Sequence, residues 1–410
     1  MFDVKRIRQD FPMITNQTKM QNHDLVFLDN ASTTFKPQEV IDAENEYYTK
    51  YTSNSHRGDY DLAYENDVHV QEAREVLGKF INVQPNEIVF TSGATMSLNL
   101  VAFGYALKHL KKDDEILITY AEHASNILPW FRVSEMTGCK VNYIPLSKEG
   151  RLLPENLEKV ISKHTKIVAV AHVTNVLGYV NDIKAIAKVA HEHGAILVCD
   201  GAQSVPHMKI DVKDLDVDFL AFSGHKMCGP TGTGVLYGKA ELLEQTDPVF
   251  LGGGMNTKFY PDGRISYLKA PLKFEAGTIN LAGINGLKKA VQYLEKIGME
   301  NITKYEQNLR QFAVKRLKEV KDLIIYNEGA ESGIITFNMK GVFAQDLATY
   351  LNSKGIACRS GQHCAKILDQ FLHEVATVRV SLYFYNTEDD INKLVDALKN
   401  GGHFLDAYFA

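Results

Sequence analysis

Five cysteines are spread over 410 residues, an odd number with no CxxC pair. A disulfide framework is therefore not expected, and no His/Cys cluster has the spacing of metal ligands. A surplus of positive charge is missing too. The 45 Lys and Arg are outnumbered by 50 Asp and Glu, and the formal net charge of -5 leaves no footprint for nucleic acid. No run approaches the roughly eighteen apolar residues of a membrane span. The opening MFDVKRIRQDFPMI carries charges where a signal peptide needs an apolar core. Internal repeats and low-complexity linkers are absent. What remains is the expectation of a cytoplasmic globular protein with 45% hydrophobic residues, long enough for a large domain and a smaller one.

Between residues 85 and 240 short β-rich runs alternate with helical stretches. The runs are EIVF (87–90), EILIT (115–119), KVNYI (140–144), KIVAVAHV (166–173), AILVCD (195–200), DFLAF (218–222) and GVLYG (234–238). Continuous apolar strands separated by helices such as DIKAIAKVAHEH predict an α/β fold, a mostly parallel seven-stranded sheet with helices on both faces. GVLYG comes too soon after DFLAF for a helical crossover, so it is expected to run antiparallel. After residue 280 the pattern changes to amphipathic helices (286–320 and 344–354), strands GIITFNM (333–339) and TVRVSLYFY (377–385), and a last helix, 388–400. The reading is a large domain, 21–280, and a small α+β domain, 281–410, with residues 1–20 packing on the latter.

Ligands of open α/β sheets bind at the carboxyl ends of the strands, so the residues just past each strand are informative. EIVF is followed by TSGAT, where Ala94 and Thr95 open a helix whose free N–H groups suit a phosphate. His123 comes after EILIT, Asn175 after KIVAVAHV, and Asp200 and Gln203 sit at the end of AILVCD. DFLAF leads into Ser223, His225 and Lys226. Each has an ordinary reading alone: a helix cap, a loop histidine, a turn former, a lysine snorkelling to water. Together they form one phosphate cradle, one imidazole, one carboxylate and one lysine on a single sheet edge. Pyridoxal 5′-phosphate needs that combination, because its aldehyde joins a lysine and its ring nitrogen needs a carboxylate partner. Lys226 would serve the first need and Asp200 the second.

With FLDNAST (27–33), NSHRGDY (54–60), FTSGAT (90–95), EHASNILPW (122–130), DGAQSVPH (200–207), SGHKMCGPTG (223–232), KFEAGT (273–278), RSGQHCA (359–365) and RVSLYFYN (379–386), the chain resembles the class V aminotransferase family. These are fold type I pyridoxal-phosphate enzymes, and the resemblance is closest to the SUF-type (group II) cysteine desulfurases. It implies that Lys226 holds the cofactor, Asp200 pairs with the ring nitrogen and His123 stacks on the ring and helps move protons. It also implies that Asn175 and Gln203 lie near the ring hydroxyl and that Ala94, Thr95, Ser223 and His225 hold the phosphate. Thr278 would reach the phosphate of a neighbouring subunit, so a homodimer is implied. Arg379 and Arg359 would clamp the substrate carboxylate, and Asn175 would also contact the substrate. Three segments depart from the family pattern: FTSGAT replaces FTRGTT, RVSLYFYN replaces RASLYFYN, and GGGMNT (252–257) differs from GGxMI.

Cys364 can be read as one more buried thiol. Its polar, glycine-bearing surroundings, with Arg359 and His363 as nearby cations or potential cations, favour a nucleophile instead. Cys358, in the apolar GIAC, fits burial better. The resulting expectation is a cysteine desulfurase that converts L-cysteine to L-alanine. Lys226 would remove the α-proton, and Cys364 would take the sulfur as a persulfide. A sulfur-acceptor protein of iron–sulfur cluster assembly would then receive it. A selenocysteine lyase is the alternative on the same residues. A plain aminotransferase would leave Cys364 without a purpose, and a catalytically silent relative would have no reason to keep Lys226, Asp200, His123 and Cys364 together.

Overall fold

The computed structural model describes residues 2–55 and 58–400, so His56 and Arg57 of NSHRGDY lie outside the described residues. Seven strands form the main sheet: β1 Ile88–Thr91, β2 Glu115–Thr119, β3 Lys140–Ile144, β4 Thr165–Ala171, β5 Ile196–Asp200, β6 Phe219–Ser223 and β7 Gly234–Gly238. Their order is β1-β7-β6-β5-β4-β2-β3. β7 runs antiparallel to both β1 and β6, and the other pairs are parallel. The ten-residue turn between β6 and β7 cannot accommodate a crossover helix, and this dictates the reversal.

Alternation along each strand feeds two cores. Ile167 and Ala169 of β4 join Val198, Phe219 and Ala221 on one face, where Leu98 and Trp130 cover them. Val168 and Val170 join Leu197, Cys199, Leu220 and Phe222 on the other, under Ile186 and Ala190. Each large side chain buried in this way contributes about 1.5–3 kcal/mol. Because both faces are covered, polar chemistry is confined to the strand ends.

A second sheet contains β8 Leu323–Ile325, β9 Ile334–Met339, β10 Arg359–Gly361 and β11 Thr377–Ser381, antiparallel in the order β8-β9-β11-β10. It has its own core of Leu309, Phe337, Leu347, Val380 and Leu394. Val26–Phe27 pairs in parallel with Ile356–Ala357 beside this sheet, whereas Phe2 and Phe11 pack on the large sheet's core, Phe2 stacking on Tyr305 at 4.5 Å. Phe11 packs against Tyr385 at 4.8 Å.

Two expectations change in detail. TVRVSLYFY does not continue as one strand, because β11 stops at Ser381. Leu382, Tyr383, Phe384 and Tyr385 are all buried, which a two-faced strand beside solvent does not allow. Instead they turn into the joint between the two sheets, where Tyr383 Oη donates to the Pro206 carbonyl at 3.1 Å and Tyr385 stacks on Phe35 at 5.3 Å. The helices expected over 286–320 begin earlier and end earlier, as Leu281–Ile297 and Met299–Leu317, parted by Gly298 at φ 91°.

Candidate active site

β6 ends at Ser223, and Gly224–Lys226 make one tight helical turn. The His225 carbonyl anchors this turn. It accepts from Thr34 N–H at 3.0 Å, Thr33 Oγ1 at 3.0 Å and Lys36 Nζ at 3.1 Å. With its backbone fixed, Lys226 faces a cavity of about 240 Å³ at the carboxyl edge of the sheet. The wall gathers Ala94, Thr95, His123, Asn175, Asp200, Gln203, Ser223, His225, Arg359 and Arg379, residues drawn from seven separate segments of the chain. Cys364 is not in the wall but exposed at its rim, 3.4 Å from Arg359 Nη2. Thr278 lies outside the cavity and is exposed.

The residues expected to hold a phosphate, Ala94, Thr95, Ser223 and His225, lie together in the wall. The helix Ala94–Leu100 starts after Gly93, at φ 153°, and Ala94 N–H donates to Ser223 Oγ at 2.8 Å. Thr95 Oγ1 and Ser125 Oγ lie 2.8 Å apart. A Cβ at Gly234 would run into the Gly93 backbone, so this close approach requires glycine. Ser92, which stands where the family pattern has arginine, turns away and donates to Met96 Sδ at 3.4 Å. The GGGMNT loop contributes nothing to the cavity wall.

Burial sets the charges. The Lys226 ammonium, enclosed by protein although its side chain opens on the cavity, is pushed down to about 8 by desolvation, with Arg379 and Arg359 adding to the effect and Asp200 opposing it. Desolvation raises the Asp200 carboxyl, against Ala202 N–H at 3.0 Å and the Lys226 charge. His123 falls to about 4, first through burial and then through Lys226, Arg359 and Arg379. Its Nδ1 accepts Ser125 N–H at 3.1 Å, so the neutral ring carries its proton on Nε2. The preceding residue, Glu122, fully buried, is pushed up to about 8 by desolvation and is held by Thr119 Oγ1 at 2.7 Å and Asn126 Nδ2 at 2.8 Å.

One expectation is overturned. His363 is no cation beside Cys364. It is buried, its Nε2–H donates to the Thr377 carbonyl at 3.0 Å, and desolvation together with Arg379 and Arg359 holds it down at about 3. Only Arg359 brings positive charge to the thiol among the two neighbours anticipated. Cys358 is half-buried, and desolvation pushes its thiol up to about 12.

Sequence reasoning passed over Ser32, Ser125 and His363 as wall residues, and Asp29 and Glu122 behind them. Asp29 and Ser32 lie within FLDNAST and Glu122 and Ser125 within EHASN, so the motifs were visible while the individual roles were not.

The donor set fits pyridoxal 5′-phosphate: an amine near neutrality, a buried carboxylate, a helix N-terminus with hydroxyls, and Asn175 Oδ1 buried without a protein partner. Comparison with known proteins agrees. The chain is 45% identical over 408 residues to a probable cysteine desulfurase of Halalkalibacterium halodurans, covering 99% of this chain and 100% of that one. A probable cysteine desulfurase of Staphylococcus aureus is 41% identical over 411 residues, covering 100% and 99%. Among solved structures, the cysteine desulfurase CsdA of Escherichia coli superposes with a TM-score of 0.90 at 36% identity, over 97% of this chain and 98% of that one. The aminotransferase class-V model matches residues 26–394, and the chain therefore belongs to the class V aminotransferase family, whose cofactor is pyridoxal 5′-phosphate.

Proposed function

We propose that this protein is a cysteine desulfurase, taking sulfur from L-cysteine onto Cys364 as a persulfide and releasing L-alanine. The observation that carries this reading is the exposed thiol of Cys364 at the rim of the Lys226 cavity, with the Arg359 guanidinium 3.4 Å from its sulfur. The relatives' names support it.

Pyridoxal phosphate, when bound, supplies an aldehyde that joins Lys226 or the substrate amine and a ring that withdraws electrons from the α-carbon. The chain's own residues do the rest. Arg379, with Arg359 beside it, receives the substrate carboxylate through charge-assisted hydrogen bonds. Lys226, pushed down to about 8, has enough free amine at neutral pH for Nζ to remove the α-proton. Asp200 supplies the buried negative charge that the ring nitrogen requires. His123, neutral with hydrogen on Nε2, can donate above the cavity and accept in a later step. Cys364 attacks the substrate sulfur: an S–S bond forms, the C–S bond breaks, and its electron pair returns to the carbon skeleton. Cβ then takes one proton, Cα regains the one that Lys226 removed, and the product leaves as alanine.

A protein-held persulfide suits delivery to an acceptor protein for iron–sulfur cluster assembly in the cytoplasm, the context we assign. L-Selenocysteine is an alternative substrate on the same residues. We assign the chain to a homodimer as well. Thr278 is exposed near exposed Phe250 and Leu251, and a second copy covering that face would present Thr278 to its neighbour's phosphate cradle. Within each copy we divide the chain into a large part, 21–280, and a small part, 281–410.

The test is incubation of the holoenzyme with L-cysteine labelled in sulfur, then mass analysis of the peptide containing Cys364. One added labelled sulfur is expected. Alanine release with an unmodified Cys364 would refute the persulfide route.

A further inference from the structure

Arg359 of β10 and Arg379 of β11 are directly opposed cross-strand partners. Like charges in that position repel, and Arg379 is fully buried, so the pair needs an explanation. The explanation lies in Ser32, more than three hundred residues away. Arg379 Nη2 donates to Ser32 Oγ at 3.0 Å, and Arg359 Nη1 donates to the same oxygen at 3.2 Å. Ser32 O–H donates to Asp29 Oδ1 at 2.8 Å, and that carboxylate pairs with Arg379 Nη2 at 3.1 Å.

A hydroxyl offers one proton and two lone pairs, while a guanidinium can only donate. The direction of every bond is thereby forced. The proton of Ser32 goes to Asp29, and its two lone pairs take one arginine each. Nothing is left over. Two guanidinium charges facing one carboxylate leave a net positive charge for the substrate carboxylate to balance. The same arrangement fixes Arg359 by one amine, Nη1, while the other, Nη2, reaches Cys364 Sγ at 3.4 Å.

We propose that Ser32 is a positioning residue that holds Arg359 in the orientation presenting Nη2 to the Cys364 sulfur, coupling the carboxylate clamp to the nucleophile. Without its oxygen, the Arg359 side chain has no anchor on that side and swings away from its neighbour's like charge. This inference rests on the assignment of Cys364 as nucleophile, but its test does not require turnover.

The experiment is alkylation of the substrate-free holoenzyme by iodoacetamide at pH 7, read as the mass of the Cys364 peptide over time. The reagent consumes thiolate, so its rate reports how well the sulfur's charge is supported. Cys139, Cys199 and Cys228 are buried, the half-buried Cys358 thiol is pushed up to about 12, and Cys364 is exposed, which makes the reading selective. Ser32→Ala is expected to slow alkylation about three- to tenfold, and Ser32→Thr, which keeps the hydroxyl, to retain the parent rate. Arg359→Ala should slow it as well, and adding Ser32→Ala to that variant should change nothing further. An unchanged rate in Ser32→Ala, an equal loss in Ser32→Thr, or a further loss on top of Arg359→Ala would each overturn the proposal. If the parent releases no alanine from cysteine, the desulfurase reading falls while the alkylation rates still decide the role of Ser32.

Discussion

The Cys364 carbonyl accepts the Ala124 N–H at 2.7 Å, which ties the turn bearing the thiol to the residue next to His123. The turn itself runs through the left-handed region at His363, φ 49°, and Cys364, φ 59°. Such a backbone persists only where surrounding contacts hold it. The turn that bears the thiol is thus tethered beside the cavity.

Replacing Cys364 by serine separates the steps. Cysteine should still bind and lose its α-proton, since neither event uses the thiol, while alanine release should fall by a hundredfold or more, on the order of 3 kcal/mol. Cys358→Ser should leave the rate within about twofold. Rapid-mixing spectra and alanine assays on both variants check this, and a Cys364→Ser enzyme working at the parent rate would end the persulfide mechanism.

Arg379→Ala removes the buried member of the arginine pair. Apparent affinity for cysteine should drop about ten- to a hundredfold, the loss of one charge-assisted contact. The absorbance of the resting holoenzyme should not change. If affinity is retained, Arg359 is the main carboxylate ligand.

Lys226 should carry the cofactor covalently. Borohydride treatment of the yellow holoenzyme is expected to leave the reduced cofactor on the peptide containing Lys226, and Lys226→Ala to abolish turnover. A protein that remains colourless with excess cofactor would contradict the assignment.

Glu122 gives a pH signature with a definite sign. Its carboxyl ionises near 4.5 in the unfolded chain and at about 8 when folded. Between these values the folded state holds the extra proton, so rising pH costs stability, up to about 1.4 kcal/mol per pH unit. Glu122→Gln does not titrate. The Tm of Glu122→Gln minus that of the parent should therefore grow from pH 5 to 8 and level off above. A flat difference would mean that Glu122 is already ionised in the fold.

Much of this protein was legible in local stretches of sequence. Runs such as AILVCD and DFLAF are apolar throughout because both faces of a parallel sheet are buried, and polar residues can then stand only at strand ends. Asp200 and Lys226 were therefore marked by position as well as by type. The reversal of GVLYG came from the length of one loop. Other features depended on contacts between distant segments. Ser32 meets Arg379 across 347 positions, and the facing of Arg359 and Arg379 depends on strand register, which neither run encodes alone. The charge of His363 was decided the same way: beside Cys364 in sequence it resembles a cation, but desolvation and two neighbouring guanidiniums hold the folded ring neutral. Burial and long-range register are properties of the assembled core, and they decided what the strand-end residues could do.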